Sequence, residues 1–278
     1  MKLTVLVDNC VLLNQNLIGE HGFSVYLEVD EYKILFDSGY SDVFIKNAEM
    51  LKIDLLNLDY LILSHGHDDH TWGISQFSDF YALAIKNGVK VSKPTVVTHP
   101  ETFNKKYDGN KEIGCLYSQD QLLAKFKIKT SRKPLWLSKN LVFLGEIPRL
   151  NDFEAIKPVC KVCKSNHLED DYVIEDSALV YNSDHGLIII TGCSHSGICN
   201  IIEYAKIVCS SSRIYLVIGG LHLIAPDEEV LAKTIDYLEQ QQMQQIYPCH
   251  CTDVTSKIRL ATSLPVKEAG VGLFLTIE

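Results

Sequence analysis

Apolar and polar positions along the chain change period as the sequence proceeds, and that change marks out the elements. Leu3 to Val7 is a short apolar run, Phe23 to Val29 alternates with period two, and Tyr32 to Phe36 follows across Asp30-Glu31. The pattern predicts a strand and then a β-hairpin. After the Ser38-Gly39 turn, Val43, Phe44, Ala48 and Leu51 recur at helical spacing, so a helix is expected near Asp42 to Leu51. A strand at Tyr60 to Leu63 leads into a histidine-rich loop, and Pro94 to Thr98 reads as a further strand ending at His99-Pro100.

From Glu101 to about His167 the periodicity loosens into short apolar runs such as Leu141 to Leu144, which reads as an insertion. Regularity returns with a strand at Leu187 to Thr191, a helix from about Gly197 to Cys209 and a strand at Ile214 to Ile218. Next comes a helix capped by Asp227 with Val230, Leu231, Thr234, Ile235 and Leu238 facing inward, then a short strand at Gln245 to Tyr247. Strands alternating with helices predict sheets covered by helices, not a bundle or coiled coil.

Composition narrows the class. The chain of 278 residues carries a net charge of -9, which argues against general binding to nucleic acid. No window approaches the ~18–20 apolar residues needed to cross a bilayer, and the first residues read as a strand, not as a signal peptide. Nine cysteines, an odd number in a chain this long, fit reduced thiols better than a disulfide framework, so a cytoplasmic protein is expected. Nothing in the spacing sets an oligomeric state.

The chemistry concentrates in Ser64-His65-Gly66-His67-Asp68-Asp69-His70. Three imidazoles and two carboxylates are costly to desolvate together, and a bound cation makes such a cluster favourable. His65 and His67, two apart on an extended segment, can face one ion, while Asp69 and His70, beyond a turn, can face a second. Asp68 is expected outside the metal shell. Two ions about 3.5–4 Å apart share a hydroxide and clamp attacking and leaving oxygens, which is two-metal hydrolysis. A purely structural zinc site would close with cysteines, and this loop offers none.

The run His65-Gly66-His67-Asp68-Asp69-His70 resembles the HxHxDH signature of the metallo-β-lactamase superfamily. The segments Gly19 to Ser24, Leu35 to Gly39, Thr191 to Gly197, Gly219 to Leu223 and Pro248 to Thr252 are similar to the branch named after the methanopterin-pathway dihydropterin–ribofuranosylaminobenzene phosphate synthase. The likeness spans nearly the whole chain and is weakest from about Glu101 to Asp170. It implies an α/β (α+β) protein built as a four-layer αββα sandwich, a single domain over 1–278 with an inserted lid or subdomain around 101–170. It also implies His65 and His67 as ligands of a first metal and Asp69, His70 and His250 as ligands of a second, with His195 the candidate for the remaining position. Many members place an Asp, or in some a Cys, where this chain has Cys193. A Cys193 thiolate suits zinc, whereas His195 suits zinc, manganese or iron, so the choice between them stays open. The implied cofactor is two divalent ions, zinc first, with manganese or iron as alternatives.

Other residues carry two readings each. His222, after Gly219 and Gly220 at a strand end, is a candidate general acid or substrate contact, and a strand-end histidine is otherwise structural. Asp37 is positioned to fix the tautomer of a ligand histidine or simply to form a turn. Cys160-Lys161-Val162-Cys163 with His167 has zinc-like spacing but no evident fourth ligand, and Cys249 and Cys251 default to packing. Between Glu101 and Lys139, Lys105, Lys106, Lys111, Lys125, Lys127, Lys129, Arg132, Lys133 and Lys139 stand against Glu101, Asp108, Glu112 and Asp120. This is an anion-gathering lid or, more simply, a solvated surface.

The leading expectation is a dinuclear metal-dependent hydrolase acting through a metal-bridged hydroxide on an ester, phosphoester, thioester or lactone of a small, in one version anionic, molecule. Asp69 or His222 would shuttle the proton. The alternatives are a pterin-type C–N bond-forming synthase, which the resemblance implies, and a metal-containing ligand-binding or sensor protein.

Overall fold

The computed structural model describes residues 1–277 and divides them into two compact units. Unit 1 comprises Met1–Thr130, Val162–Glu169 and the C-terminal stretch from Gly270; unit 2 comprises Ser131–Lys161 and Asp170–Ala269.

Unit 1 is organised on a seven-stranded sheet in the order Phe274–Thr276, Lys2–Val7, Ser24–Val29, Tyr32–Phe36, Tyr60–Ile62, Thr95–Thr98, Lys127–Thr130. The first four strands pair antiparallel, including the expected hairpin, and the last four run parallel. The two longest helices of the unit pack on this sheet. Val43–Met50 buries Val43, Phe44 and Ala48 as the periodicity predicts. Gly73–Lys86 buries Ile74, Phe77, Tyr81 and Ala84, a spacing of three to four residues that brings one stripe onto the sheet. Phe77 and Tyr81 join Phe44, Leu61 and Val96 in one core, each large side chain contributing about 2–3 kcal/mol by leaving water. The Tyr81 hydroxyl donates to the Leu55 carbonyl at 2.7 Å, so its polar end is satisfied where it is buried. A small sheet formed by Lys106–Asp108, Lys111–Glu112 and residues 162–169 completes the unit.

Unit 2 has a six-stranded sheet in the order Gln245–Cys249, Ile214–Gly220, Gly186–Thr191, Ala178–Ser183, Leu141–Phe143, Leu135–Trp136. The first three strands are parallel, and Gly186–Thr191 between its neighbours is buried at every position. This explains why Leu187 to Ile190 is continuously apolar instead of alternating. Helices Ile198–Cys209 and Glu228–Gln240 cover this sheet through Ile201, Ile202, Leu231 and Leu238. Asp227 does precede the second helix, but its carboxylate makes no capping bond and instead pairs with Lys157 at 2.8 Å. Among the described residues no helix is long and apolar enough to cross a membrane.

Both sheets share one feature that positions chemistry. The parallel strands present their carboxyl ends side by side, and the loops leaving those ends carry the residues of interest. Open α/β sheets hold their ligands at this edge.

Candidate metal centre

In unit 1 three adjacent parallel strands end in succession at Asp37, at the His65–His70 loop and at His99. Asp37 bonds through its N–H to the Ile62 carbonyl at 2.8 Å and has φ 55°, an unusual backbone state for a residue other than glycine. Its buried carboxylate accepts the Ser64 N–H through Oδ1, and the Ser64 hydroxyl and His70 Nδ1–H through Oδ2, all at 2.7 Å. With Nδ1 of His70 committed to the carboxylate, Nε2 keeps its lone pair for an ion. The tautomer-fixing reading of Asp37 is the one this geometry carries.

The loop itself is extended only as far as His67, and Asp68–Thr71 forms a single helical turn that swings Asp69 and His70 back toward the first two histidines. His65 Nε2 and His67 Nδ1 face each other at 3.1 Å, and the His65 ring lies 4.7 Å from that of His67 and 4.3 Å from that of His70. Asp69 Oδ2 is 3.7 Å from His70 Nε2 and 3.2 Å from Nε2 of the exposed His21. His65 and His70 are fully buried and His67 and Asp69 nearly so. Gly66 admits no side chain, since a Cβ would stand 2.4 Å from the Thr102 carbonyl oxygen and 3.2 Å from Cε of the buried Lys106. Asp68 turns away and accepts the Lys111 ammonium at 3.0 Å, which raises the pKa of that exposed lysine.

In unit 2 the tips of three parallel strands deliver Cys193 and His195, His222, and His250. Ser194, His222 and His250 all adopt positive φ, at 60°, 51° and 46°. Such backbone states cost roughly 1–3 kcal/mol each and gather at functional sites. The two glycines before His222 allow the strands to close up: Gly219, at φ 136°, would bring a Cβ to 2.0 Å from the Thr191 carbonyl oxygen. Ligand atoms of Cys193 and His250 lie within 4.8 Å of each other, and the His195 ring packs edge-on against His222 at 4.4 Å. The Cys251 thiol is more than packing. It lies 3.4 Å from the Cys193 carbonyl oxygen and accepts the His222 N–H at 3.3 Å. Burial raises its pKa, yet hydrogen bonding to Cys193 and His222 and the charges of His250 and His222 together hold it well below the usual thiol range.

The structural roles of three residues were missed from sequence. Asp176, wholly buried, accepts the Ser196 N–H at 2.9 Å and so braces the His195 loop, as Asp37 braces its own; burial pushes its carboxyl up to about 6. Glu154 accepts the N–H groups of Cys199 and Asn200 at the start of helix Ile198–Cys209, and burial raises its pKa. Lys106 fills the space behind Gly66. None carries a local pattern, because each acts on backbone far away in sequence. Cys160 and Cys163 lie three apart on one strand, so their side chains alternate to opposite faces, and no group of three metal-ligand residues forms there among the described residues. Part of the basic excess is neutralised by acids outside the run, through Lys111 to Asp68 and Arg132 to Glu146, while Lys105 pairs with Glu112 within it.

Residues 17–95 match the sequence model of the metallo-beta-lactamase superfamily. An uncharacterised protein of Methanocaldococcus jannaschii, MJ0448, is 32% identical over 258 residues, covering 92% of this chain and 93% of that protein. The chain belongs to the metallo-β-lactamase superfamily. From the same organism, the 7,8-dihydropterin-6-methyl-4-(beta-D-ribofuranosyl)-aminobenzene-5'-phosphate synthase is 29% identical over 91% of this chain and 87% of its own length. A crystal structure described as Tm1679, a metal-dependent hydrolase of the beta-lactamase superfamily, superposes with a TM-score of 0.84 at 28% identity, covering 100% of this chain and 99% of that one. The chain has the mixed α/β fold of this superfamily, as the sequence led us to expect.

Proposed function

We propose that the protein is a metal-dependent hydrolase of a small molecule, with two divalent ions held by His65, His67 and His195 and by Asp69, His70 and His250, and with Cys193 joining the second set. The observation that carries this reading is the buried imidazole cluster of unit 1, whose ring nitrogens converge at 3.1 Å while Asp37 holds the outer nitrogen of His70. Desolvating that many lone pairs without a cation to share them would cost several kcal/mol. Cys193 joins because its ligand atom lies within 4.8 Å of one from His250, whereas His195 packs on His222.

The donor set of imidazoles, carboxylate and one thiol suits zinc first, with manganese and iron also accommodated by the nitrogen and oxygen ligands. When bound, such ions polarise a substrate oxygen and bring the pKa of water from about 15.7 to roughly 7. The chain's own residues do the rest. Asp37 fixes the His70 ring, and Asp176 and the Ser194 turn fix the loop bearing His195. Asp69 takes the proton from the attacking water, and the exposed His222 delivers one to the departing oxygen.

Loading purified protein with zinc, manganese or iron, measuring bound metal, and assaying esters, thioesters, phosphodiesters and lactones tests this reading. Metal-dependent release from at least one class is expected; full loading with no turnover in any class would overturn it. A second reading, C–N bond formation with departure of pyrophosphate, is favoured by the relative named as a synthase. Pyrophosphate release coupled to consumption of an aromatic amine would select it.

A further inference from the structure

A cavity of about 580 Å³ opens within unit 2, lined by residues of the segments Phe153 to Val159 and Leu221 to Val230 together with Ser194 and His195. Its size is that of a small-molecule site. Phe153, Ile156, Pro158, Val159, Leu223 and Ile224 are the larger apolar side chains of the wall. Three of these stand in water to an unusual degree for their type: Ile156 is 56% exposed, Ile224 59% and Val159 37%. Exposed branched side chains gathered on one cavity mark a surface that something apolar covers.

The polar inventory sharpens what that occupant is. Lys157 is the cation of the wall, and its ammonium is tied to Asp227, also on the wall, at 2.8 Å. Glu154, the other carboxylate, is turned to the backbone N–H groups of Cys199 and Asn200. Lys157 and Asp227 thus offset each other and Glu154 is committed to backbone, so these three side chains leave no uncompensated charge on the walls, and Ser194, His195 and His222 line the same cavity. We infer that this cavity holds an uncharged acyl or aryl portion of the substrate, with the bond to be cleaved presented to His195 and His222. The assignment of the cleaved bond rests on the hydrolase reading; the preference for an apolar, uncharged group does not.

Calorimetric titration of metal-loaded protein with the neutral series N-butyl- to N-decylacetamide tests it, with turnover of the matching 4-nitrophenyl alkanoates run in parallel. Affinity is expected to rise with length, by up to about fourfold for each fully buried methylene, until the cavity is filled. Ile224→Glu and, independently, Ile156→Glu should flatten that dependence, both being exposed positions where a folded variant is expected. Leu83→Glu, at an exposed apolar position in unit 1, should leave it intact. Affinity independent of chain length in the parent protein, or an undiminished dependence in both cavity variants, overturns the inference. Ester turnover without chain-length preference would overturn it while leaving the hydrolase reading in place. Length-dependent binding without turnover of any ester, thioester, phosphodiester or lactone would do the reverse.

Discussion

Substituting Asp37 separates the tautomer of a ligand histidine from the stability of the fold. In the parent protein Oδ2 accepts two hydrogen bonds, from the Ser64 hydroxyl and from His70 Nδ1–H, and Oδ1 accepts the Ser64 N–H. Asp37→Asn keeps an oxygen for the backbone N–H but aims an NH₂ at Ser64 and His70. The Ser64 hydroxyl can accept from it and donate to His65 Nδ1, 2.9 Å away. His70 can accept only by moving its proton to Nε2, the nitrogen that faces Asp69. The buried polar groups remain paired, so the metal-free variant should lose no more than about 1–2 kcal/mol. Metal affinity should fall roughly 10- to 100-fold, the usual penalty for losing the partner that orients a ligand histidine. Asp37→Ala, by contrast, strands the Ser64 and His70 donors at about 1–3 kcal/mol each and should destabilise the fold outright. Urea unfolding of the metal-free proteins and competitive zinc titration separate the two effects. Native zinc affinity in Asp37→Asn would refute the reasoning.

The remaining predictions concern other groups of the site. His67→Ala should lose bound metal and all metal-dependent turnover, measured by elemental analysis beside the activity assay; undiminished metal content contradicts the ligand assignment. His222→Gln should keep its metal but lower kcat by about 10²–10⁴, as for a general acid, and an unchanged kcat removes His222 from proton transfer. Glu154 has a folded pKa raised by burial above its ordinary value of 4.5. The folded state therefore holds its proton over a range where the unfolded chain has released it. Stability falls as pH rises from about 4.5 through the folded pKa, and the cost is complete above it. Glu154→Gln should flatten that decline in chelator-treated protein, as read by urea unfolding at pH 4.5 and pH 7; parallel profiles for the two proteins would contradict this.

What the sequence revealed followed local period and local density. Strands such as Tyr32–Phe36 and Ile214–Gly220 announce themselves by apolar runs beside turn residues, and the His65–His70 loop stands out by its crowding of three imidazoles and two carboxylates. Helix Gly73–Lys86 went unassigned although Ile74, Phe77, Tyr81 and Ala84 are correctly spaced. It is entered straight from the turn Asp68–Thr71, with Trp72 at its N-cap and no capping side chain, so no start signal separates it from the histidine loop. Asp227 sent the opposite message: a capping residue type at a capping position whose carboxylate is taken by Lys157. Asp176 and Glu154 could not be found by pattern, because their partners Ser196, Cys199 and Asn200 are brought to them by the fold. The question of Cys193 against His195 assumed a single vacancy. Within unit 2 the two residues keep different company, Cys193 with His250 and His195 with His222, which supports roles for both.

Crystals of the zinc-loaded protein measured on both sides of the zinc absorption edge test the central claim most directly. The account predicts two anomalous peaks about 3.5–4 Å apart, one bounded by His65, His67 and His195 and the other by Asp69, His70, Cys193 and His250. A map without peaks at those side chains, from protein shown to be folded and supplied with excess metal, would contradict it.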